Sequence, residues 1–325
     1  MQLHKMNYSR QYFLFRLCGI CTVIFVLFSC SSTIQTAKVS TLTANYCTPN
    51  VQYEPELPII DISDQDSIAI RRVFSEHDFT LSKNIGLLSH VNRYLIAEDV
   101  VQRLVAKQYI TDKYLVFSTE LDAIAAELDC NGERIEQLAN YLEKRNDRTV
   151  SRLTVASIIL GSATAIASTA FESNAVNNVI NISGGVGAAV LGFWTLKPHQ
   201  KKVQMNIERN MLHNIWYERN TDRVYPPSLW RILNEKQFSN TDNNSLMQSI
   251  RARWIKYGLD EEDNIENLEM LYFNNGGTYN AEQLRNLANM HNELQASVRG
   301  IQQDLRSLIN SITKLGFPNV EYNEL

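Results

Sequence analysis

Proline and glycine are scarce in this sequence: 7 and 13 in 325 residues. Average usage is about 5% and 7%, and these two residues are the strongest breakers of regular structure. Their shortage excludes a loop-rich chain and leaves room for long helices; neither interrupts the stretch from Glu133 to Leu160. An excess of positive charge is also missing. The formal net charge is −4, and Lys5, Arg10 and Arg16 lie ahead of residue 30 with no acid beside them, so the remainder stands at −7. Binding to nucleic acid needs clustered cations, and no nucleic-acid partner is expected. Catalytic and metal motifs are absent as well. The six histidines show no H-E-x-x-H spacing, and there is no G-x-S-x-G. Gly184-Gly185-Val186-Gly187 has neither the following Lys-Ser/Thr nor the preceding strand of a phosphate loop. Asp260-Glu261-Glu262-Asp263 is contiguous, without the alternating spacing of a calcium loop, and suits the positive end of a helix. The sequence therefore reads as no enzyme, with no catalytic residue, no metal and no cofactor.

What is present begins with an address. Lys5, Arg10 and Arg16 form a positive start, and Leu17 to Ser29 is an uncharged, mostly apolar run. About 7–15 residues is usual for the apolar part of a secretory signal, and this run is short for a membrane span. It ends in Leu27-Phe28-Ser29-Cys30. That tetrapeptide resembles the lipobox of bacterial lipoproteins, with Phe28 where a smaller residue is usual. The resemblance is confined to this end of the chain. It implies cleavage before Cys30, acylation of Cys30 and residence in the cell envelope; an uncleaved N-terminal anchor is the competing reading. The body resembles helical lipoproteins of the Bacteroidota type, with no named family.

Cys18 and Cys21 leave with such a signal and Cys30 is acylated, so Cys47 and Cys130 remain. An oxidising compartment favours pairing them, and the chain-entropy argument gives such a loop about 4 kcal/mol. Two independent thiols are the alternative.

The remaining chain reads as all-α: a long-helix bundle with a small-residue, glycine-zipper-like apolar helical hairpin and a C-terminal coiled-coil helix. Residues 30–85 read as a tether with short helices, lifting the body off the membrane. Residues 86–218 form a helical stalk, marked by Val100, Val101, Leu104 and Val105 and then Leu121, Ile124, Ala125 and Leu128 at helical spacing. Cys130-Asn131-Gly132 is expected to be a turn. Residues 219–275 form a small helical subdomain in which Trp230 and Trp254, with nearby Trp216, are packing residues rather than a ligand pocket. A coiled-coil helix at 278–316 and a tail at 317–325 complete the chain.

The hairpin spans 153–196. Leu153 to Phe171 carries no charge, near the roughly 20 residues of a membrane span, and Val179 to Leu196 is a second uncharged run. Ser157, Gly161, Ala165 and Thr169 form one ladder at four-residue spacing; Gly184, Ala188 and Gly192 form the other. Small residues on one helix face let a second backbone come close, so a leucine at Gly161 or Gly184 is expected to hold two helices apart. Trp194 suits an interface. Lys144, Arg145, Arg148 and Arg152 precede the hairpin, and Lys197, Lys201 and Lys202 follow it. With Cys30 on the outer side of the inner membrane these cations are on that side too, against the positive-inside tendency of the inner membrane. An outer membrane, facing the periplasm, is the expected location and the inner membrane the alternative. The same hairpin also reads as the core of a soluble bundle or as an oligomer interface.

Leu294, Val298, Ile301, Leu305, Leu308, Ile312 and Leu315 continue a three-four alternation begun at Leu284, with His291 its one polar member. Such a seam must bury itself against another helix, from this chain, a second copy or a partner. The reading is a non-enzymatic envelope lipoprotein, a helical scaffold that contacts membrane lipid through Cys30 and the hairpin and acts in an oligomer or complex. The alternatives are a membrane-permeabilising protein whose hairpin inserts, and a periplasmic adaptor that binds through the seam.

Overall fold

The structure is a computed structural model that describes residues 33–49, 53, 59–60, 62–170, 174–196, 200–239, 243–259 and 265–315. The expected signal segment 1–29, Cys30, the acidic run 260–263 and the tail 317–325 lie outside the described residues, as do 171–173 at the hairpin connector. Among the described residues helix makes up 77% and strand 4%, so the fold is all-α. The chain divides into two compact bodies: Met1–Thr36 with Lys144–Val203, and Ala37–Glu143 with Gln204–Leu325.

The larger body contains α1 (Ala37–Thr43), α2 (Asp64–Arg71), α3 (Glu76–Asn84), α4 (Leu88–Ile96) and the first part of α5 (Val100–Ala170). Then come β1 (Val203–Asn206), α7 (Met211–Tyr217), α8 (Pro227–Asn234), α9 (Leu246–Trp254), α10 (Ile265–Phe273), β2 (Gly276–Tyr279) and α11 (Ala281–Lys314). Its axis is α11. Leu284, Leu287, Leu294, Val298, Ile301, Leu305, Leu308 and Ile312 are all buried, and Leu315 is half-buried. The seam is covered by this chain itself. Arg285 pairs with Glu143, Gln295 Nε2 donates to Asp129 Oδ1 at 2.7 Å, and Gln302 donates to Asp122. Numbers fall along α5 as they rise along α11, so the two helices run antiparallel. Leu121, Ile124, Ala125, Leu128, Ile135, Leu138 and Leu142 supply the facing buried residues. The seam that sequence left open to a partner is thus occupied within the fold.

Two other expectations change. Cys130-Asn131-Gly132 is no turn, because α5 runs through it without a break for 71 residues. Gly132 marks a close helix approach: a Cβ there would meet the Asn292 side chain and, at 3.5 Å, His291 Cβ. Asn131 is satisfied inside the helix, donating to Glu127 O at 3.0 Å and accepting from Arg134 Nη2 at 2.9 Å. The short helices expected within 30–85 are present as α1, α2 and α3, but they pack into the body instead of forming a free tether. Ser63 and Ser75 cap α2 and α3 by accepting from the third backbone N–H beyond, and Ile70, Phe74, Phe79 and Leu81 are buried. Val100, Val101, Leu104 and Val105 are helical, as their spacing predicts, and face outward, at 49–69% exposure. The buried face of α5 there carries Ala106, Ile110 and Phe117 instead.

Cys47 and Cys130 are disulfide-bonded, closing a separation of 83 residues, and α1 nearby buries Val39 and Leu42. Compact packing also joins the expected 219–275 subdomain to its neighbours. Trp216 stacks on Phe273 at 4.1 Å, with Trp254 5.7 Å from the same ring, while Trp230 packs against Tyr225. Asn210 caps α7 and donates to Tyr272 O and Asn274 O at 2.8 Å each. The Asn274-Asn275-Gly276-Gly277 break leads into β2, which pairs with β1. Gly276 has φ +84° and lies against Met205 O, so only glycine fits there. One buried ion pair ties these parts together: Arg209 Nε and Nη2 donate to the two Glu127 carboxylate oxygens at 2.8 and 3.3 Å.

His291 gives the larger body a pH response. It is fully buried in the seam, with Nδ1 2.9 Å from Leu287 O. Burial, with Arg134 acting the same way, pushes its pKa down from 6.5 to about 4. The unfolded chain therefore takes up this proton first as pH falls. Stability from neutral His291 is complete above about 6.5 and drains away toward about 4, by on the order of 3 kcal/mol. His77 acts in the opposite sense: its hydrogen bond to Asp304 raises its pKa, so that contribution is complete below 6.5 and is lost as pH rises through the raised value. The expected result is that His291→Leu flattens the loss of stability between pH 7 and pH 5, read as urea midpoints. An unchanged slope would show that His291 is not the group titrating.

Candidate functional site: an uncovered apolar hairpin

The smaller body is built on α5 from Lys144 onward and α6 (Asn174–Leu196). The two helices pack antiparallel. A Cβ on Gly184 would overlap the Thr164 side chain, and one on Gly187 would come within 2.8 Å of Leu160 Cδ2. Gly184 is the buried residue of the described part of α6.

The contact faces differ from the expected ladders. Ser157 and Gly161 are half-buried, but Ala165 and Thr169 are exposed, and nothing lies within 4 Å of a Cβ at Gly161. Ala188 and Gly192 are half-buried on the side of Gly184, yet a Cβ at Gly192 also meets open space. The reason is geometric. At about 100° per residue a step of four overshoots a full turn by about 40°, so a strict four-residue ladder walks off the contact face. The face that packs follows three-four alternation through Leu153, Ser157, Leu160, Thr164 and Ala167, all half-buried. Thr164, Leu160 and Gly187 are the packing residues the ladder missed; scoring for that alternation would have found the first two.

Outside this seam the hairpin is greasy and bare. Val155, Ile158, Ile159 and Ile166 on α5, and Ile182, Val186, Phe193 and Leu196 on α6, are 52–78% exposed. The most apolar window of α5 has mean hydropathy 1.6 and no buried residue, and α6 adds the shorter apolar stretch Asn181–Leu196. Several hydroxyls within the hairpin turn inward on their own helix. Ser157 donates to Thr154 O at 2.8 Å, Thr164 to Leu160 O at 2.7 Å, Ser168 to Ala165 O at 2.8 Å and Thr169 to Ile166 O at 2.7 Å. Thr195 does the same to Gly192 O at 2.6 Å. Each such bond satisfies a hydroxyl hydrogen without water, the condition hydrocarbon imposes on polar groups. Composition made these helices look only mildly apolar; the bonding makes their outer surface more so.

The open end of the hairpin is tied. Lys201 N donates to Asn146 Oδ1 at 2.9 Å. Thr33 forms a parallel bridge with Lys202, in which Ile34 N donates to Lys202 O at 2.9 Å. The chain just after Cys30 is thereby held at the base of the hairpin, an arrangement no local sequence signal announces.

The larger body has a cavity of about 620 Å³ lined by residues including His77, Phe238, Arg253, Glu293, Gly300 and Asp304. His77 pairs with Asp304 at 2.9 Å and Arg253 with Glu293, so its charges neutralise one another. Among the described residues no group of three or more His, Cys, Asp or Glu side chains is placed to hold a metal ion. Compared with protein-family models, curated proteins and solved structures, the chain matches none.

Proposed function

We propose that this chain is a non-enzymatic envelope lipoprotein, acylated at Cys30, whose apolar hairpin enters the same membrane as the acyl chains and carries the larger body as a helical scaffold. The observation that carries this reading is the bridge between Thr33 and Lys202. Cys30 lies three residues before Thr33, and three extended residues reach about 10 Å. A lipid on Cys30 therefore has to enter the bilayer close to the base of the hairpin. The hairpin is long enough to follow it: residues 153–170 rise about 26 Å, against a hydrocarbon core of about 30 Å. Its exposed Val, Ile, Leu and Phe side chains gain what lipid offers, and several of its hydroxyls are already bonded within their own helix. The outer membrane, on the periplasmic side, is the proposed site, because the basic flanks argue against the inner one.

Depth-dependent quenching checks this. Purified protein carrying a fluorophore at Ile166 is mixed with vesicles containing lipids brominated along the acyl chain. Quenching is expected to be strongest for bromines deep in the chain, and Ile158→Asp with Val186→Asp should abolish it. A probe untouched by bromine at every depth would refute the hairpin reading. Release of trapped dye at the same protein load would favour the membrane-permeabilising alternative. The adaptor alternative would need a surface other than the seam, whose side chains are buried within the fold.

A further inference from the structure

The base of the hairpin carries a second feature that insertion alone does not use. Lys144, Arg148, Arg152 and Arg145 fall at about 0°, 40°, 80° and 100° around α5, taking 100° per residue. All four cations thus share an arc of about 100°, and all four are exposed. The acids of the same segment, Glu143 and Asp147, fall outside that arc, at about 260° and 300°. Asn146, at about 200°, turns to the Lys201 backbone N–H. Lys201 and the exposed Lys202 are therefore brought to a different side of the same helix. Cations flank the base on two sides, immediately before the first apolar residue, Leu153. Along the axis, Lys144 to Arg152 covers about 12 Å, the depth over which long basic side chains stretch from a bilayer interface.

From this placement we infer that the base of the hairpin is a collar that binds the anionic headgroups of phospholipids, so the protein selects negatively charged bilayer surface. The inference rests on the hairpin reading for its depth, but it is tested separately. Its physical basis is that a segregated basic face keeps its Coulomb attraction to a lipid surface, whereas cations interleaved with acids lose it. Arg side chains add forked donors that match phosphate oxygens.

The experiment is co-flotation of the purified protein, with the fluorophore at Ile166, on vesicles of pure phosphatidylcholine and of phosphatidylcholine with 30% phosphatidylglycerol. Partitioning is read at low, physiological and high salt. At least a tenfold preference for the anionic vesicles is expected at low salt, falling away at high salt. A variant with Lys144→Gln, Arg148→Gln, Arg152→Gln, Lys201→Gln and Lys202→Gln should lose that preference while its probe still enters phosphatidylcholine, with unchanged helicity. Equal partitioning into both vesicles with a lipid-exposed probe would overturn the collar and leave the hairpin reading standing. An anionic preference that the variant retains would overturn it too. An anionic preference without probe entry would keep the collar as a surface contact and refute insertion. Competition by millimolar inorganic phosphate would reassign the site to free phosphate and so overturn the lipid assignment.

Discussion

Protein carrying Leu305→Asp is expected to lose on the order of 3–5 kcal/mol of stability while its molecular mass in solution stays the same. Leu305 is 2% exposed and lies on α11 between turns that meet α3. Beside it Asp304 bonds His77, and further along Ser311 Oγ donates to Asp78 Oδ2 at 2.7 Å. An aspartate at 305 would put a carboxylate among buried aliphatic side chains and would remove the packed leucine as well. A buried carboxylate without a partner costs several kcal/mol before it protonates, and the lost packing adds to that. Gln303→Asp is the control: Gln303 is exposed, and its change should stay within about 0.5 kcal/mol. Urea unfolding with sedimentation of both variants checks this. The discriminating feature is mass. A seam shared between copies would come apart and halve the mass, whereas a seam buried within one chain shifts only the urea midpoint. A halved mass with an unmoved midpoint would contradict the intramolecular packing of α11 on α5.

That outcome separates what periodicity can read from what it cannot. The α11 seam was legible because Leu294 to Ile312 repeat at three-four spacing without interruption, and burial follows that spacing residue by residue. Its partner was not, because a heptad states that a face must be covered and says nothing about what covers it. The pairing of Cys47 with Cys130 was readable by elimination once Cys18, Cys21 and Cys30 were set aside on the expectation of a lipoprotein signal. Local rules failed where tertiary contacts decide. Asn131-Gly132 has the composition of a turn, yet Gly132 gives α11 room to approach and Asn131 is bonded within its own helix. Val100, Val101, Leu104 and Val105 have the composition of a core face, yet α5 buries Ala106 and Ile110 in their place. At the candidate site the apolar runs and basic flanks were plain in the sequence. The bridge from Thr33 to Lys202 was not, because pairing between residues so far apart leaves no periodic trace.

The hairpin offers the sharpest test of packing against composition. Gly184→Leu is expected to force α5 and α6 apart, and Gly161→Leu to leave them where they are, although both glycines stand in small-residue runs. At Gly184 a Cβ would fall on the Thr164 hydroxyl and lie 2.7 Å from Thr164 Cβ. That neighbour is β-branched, with few rotamers to retreat into, and its hydroxyl is committed to Leu160 O. Relief has to come from the backbones, which must separate by about 2 Å or more within the usual 8–10 Å range of helix spacings. At Gly161 nothing stands within 4 Å, and replacing a mid-helix glycine gains about 0.5–1 kcal/mol of helix propensity. Gly187→Leu should fall between the two, since its neighbour is the far end of the flexible Leu160 side chain. Spin labels at Val155 and Phe193, both exposed and at about the same level in the antiparallel register set by Gly184 on Thr164 and Gly187 on Leu160, report the separation by pulsed electron resonance in detergent or bilayer. The expected pattern is a longer, broader distance for Gly184→Leu and an unchanged one for Gly161→Leu. Equal widening in both variants would restore the four-residue ladder as the true contact face and would refute the antiparallel seam through Leu160, Thr164, Gly184 and Gly187.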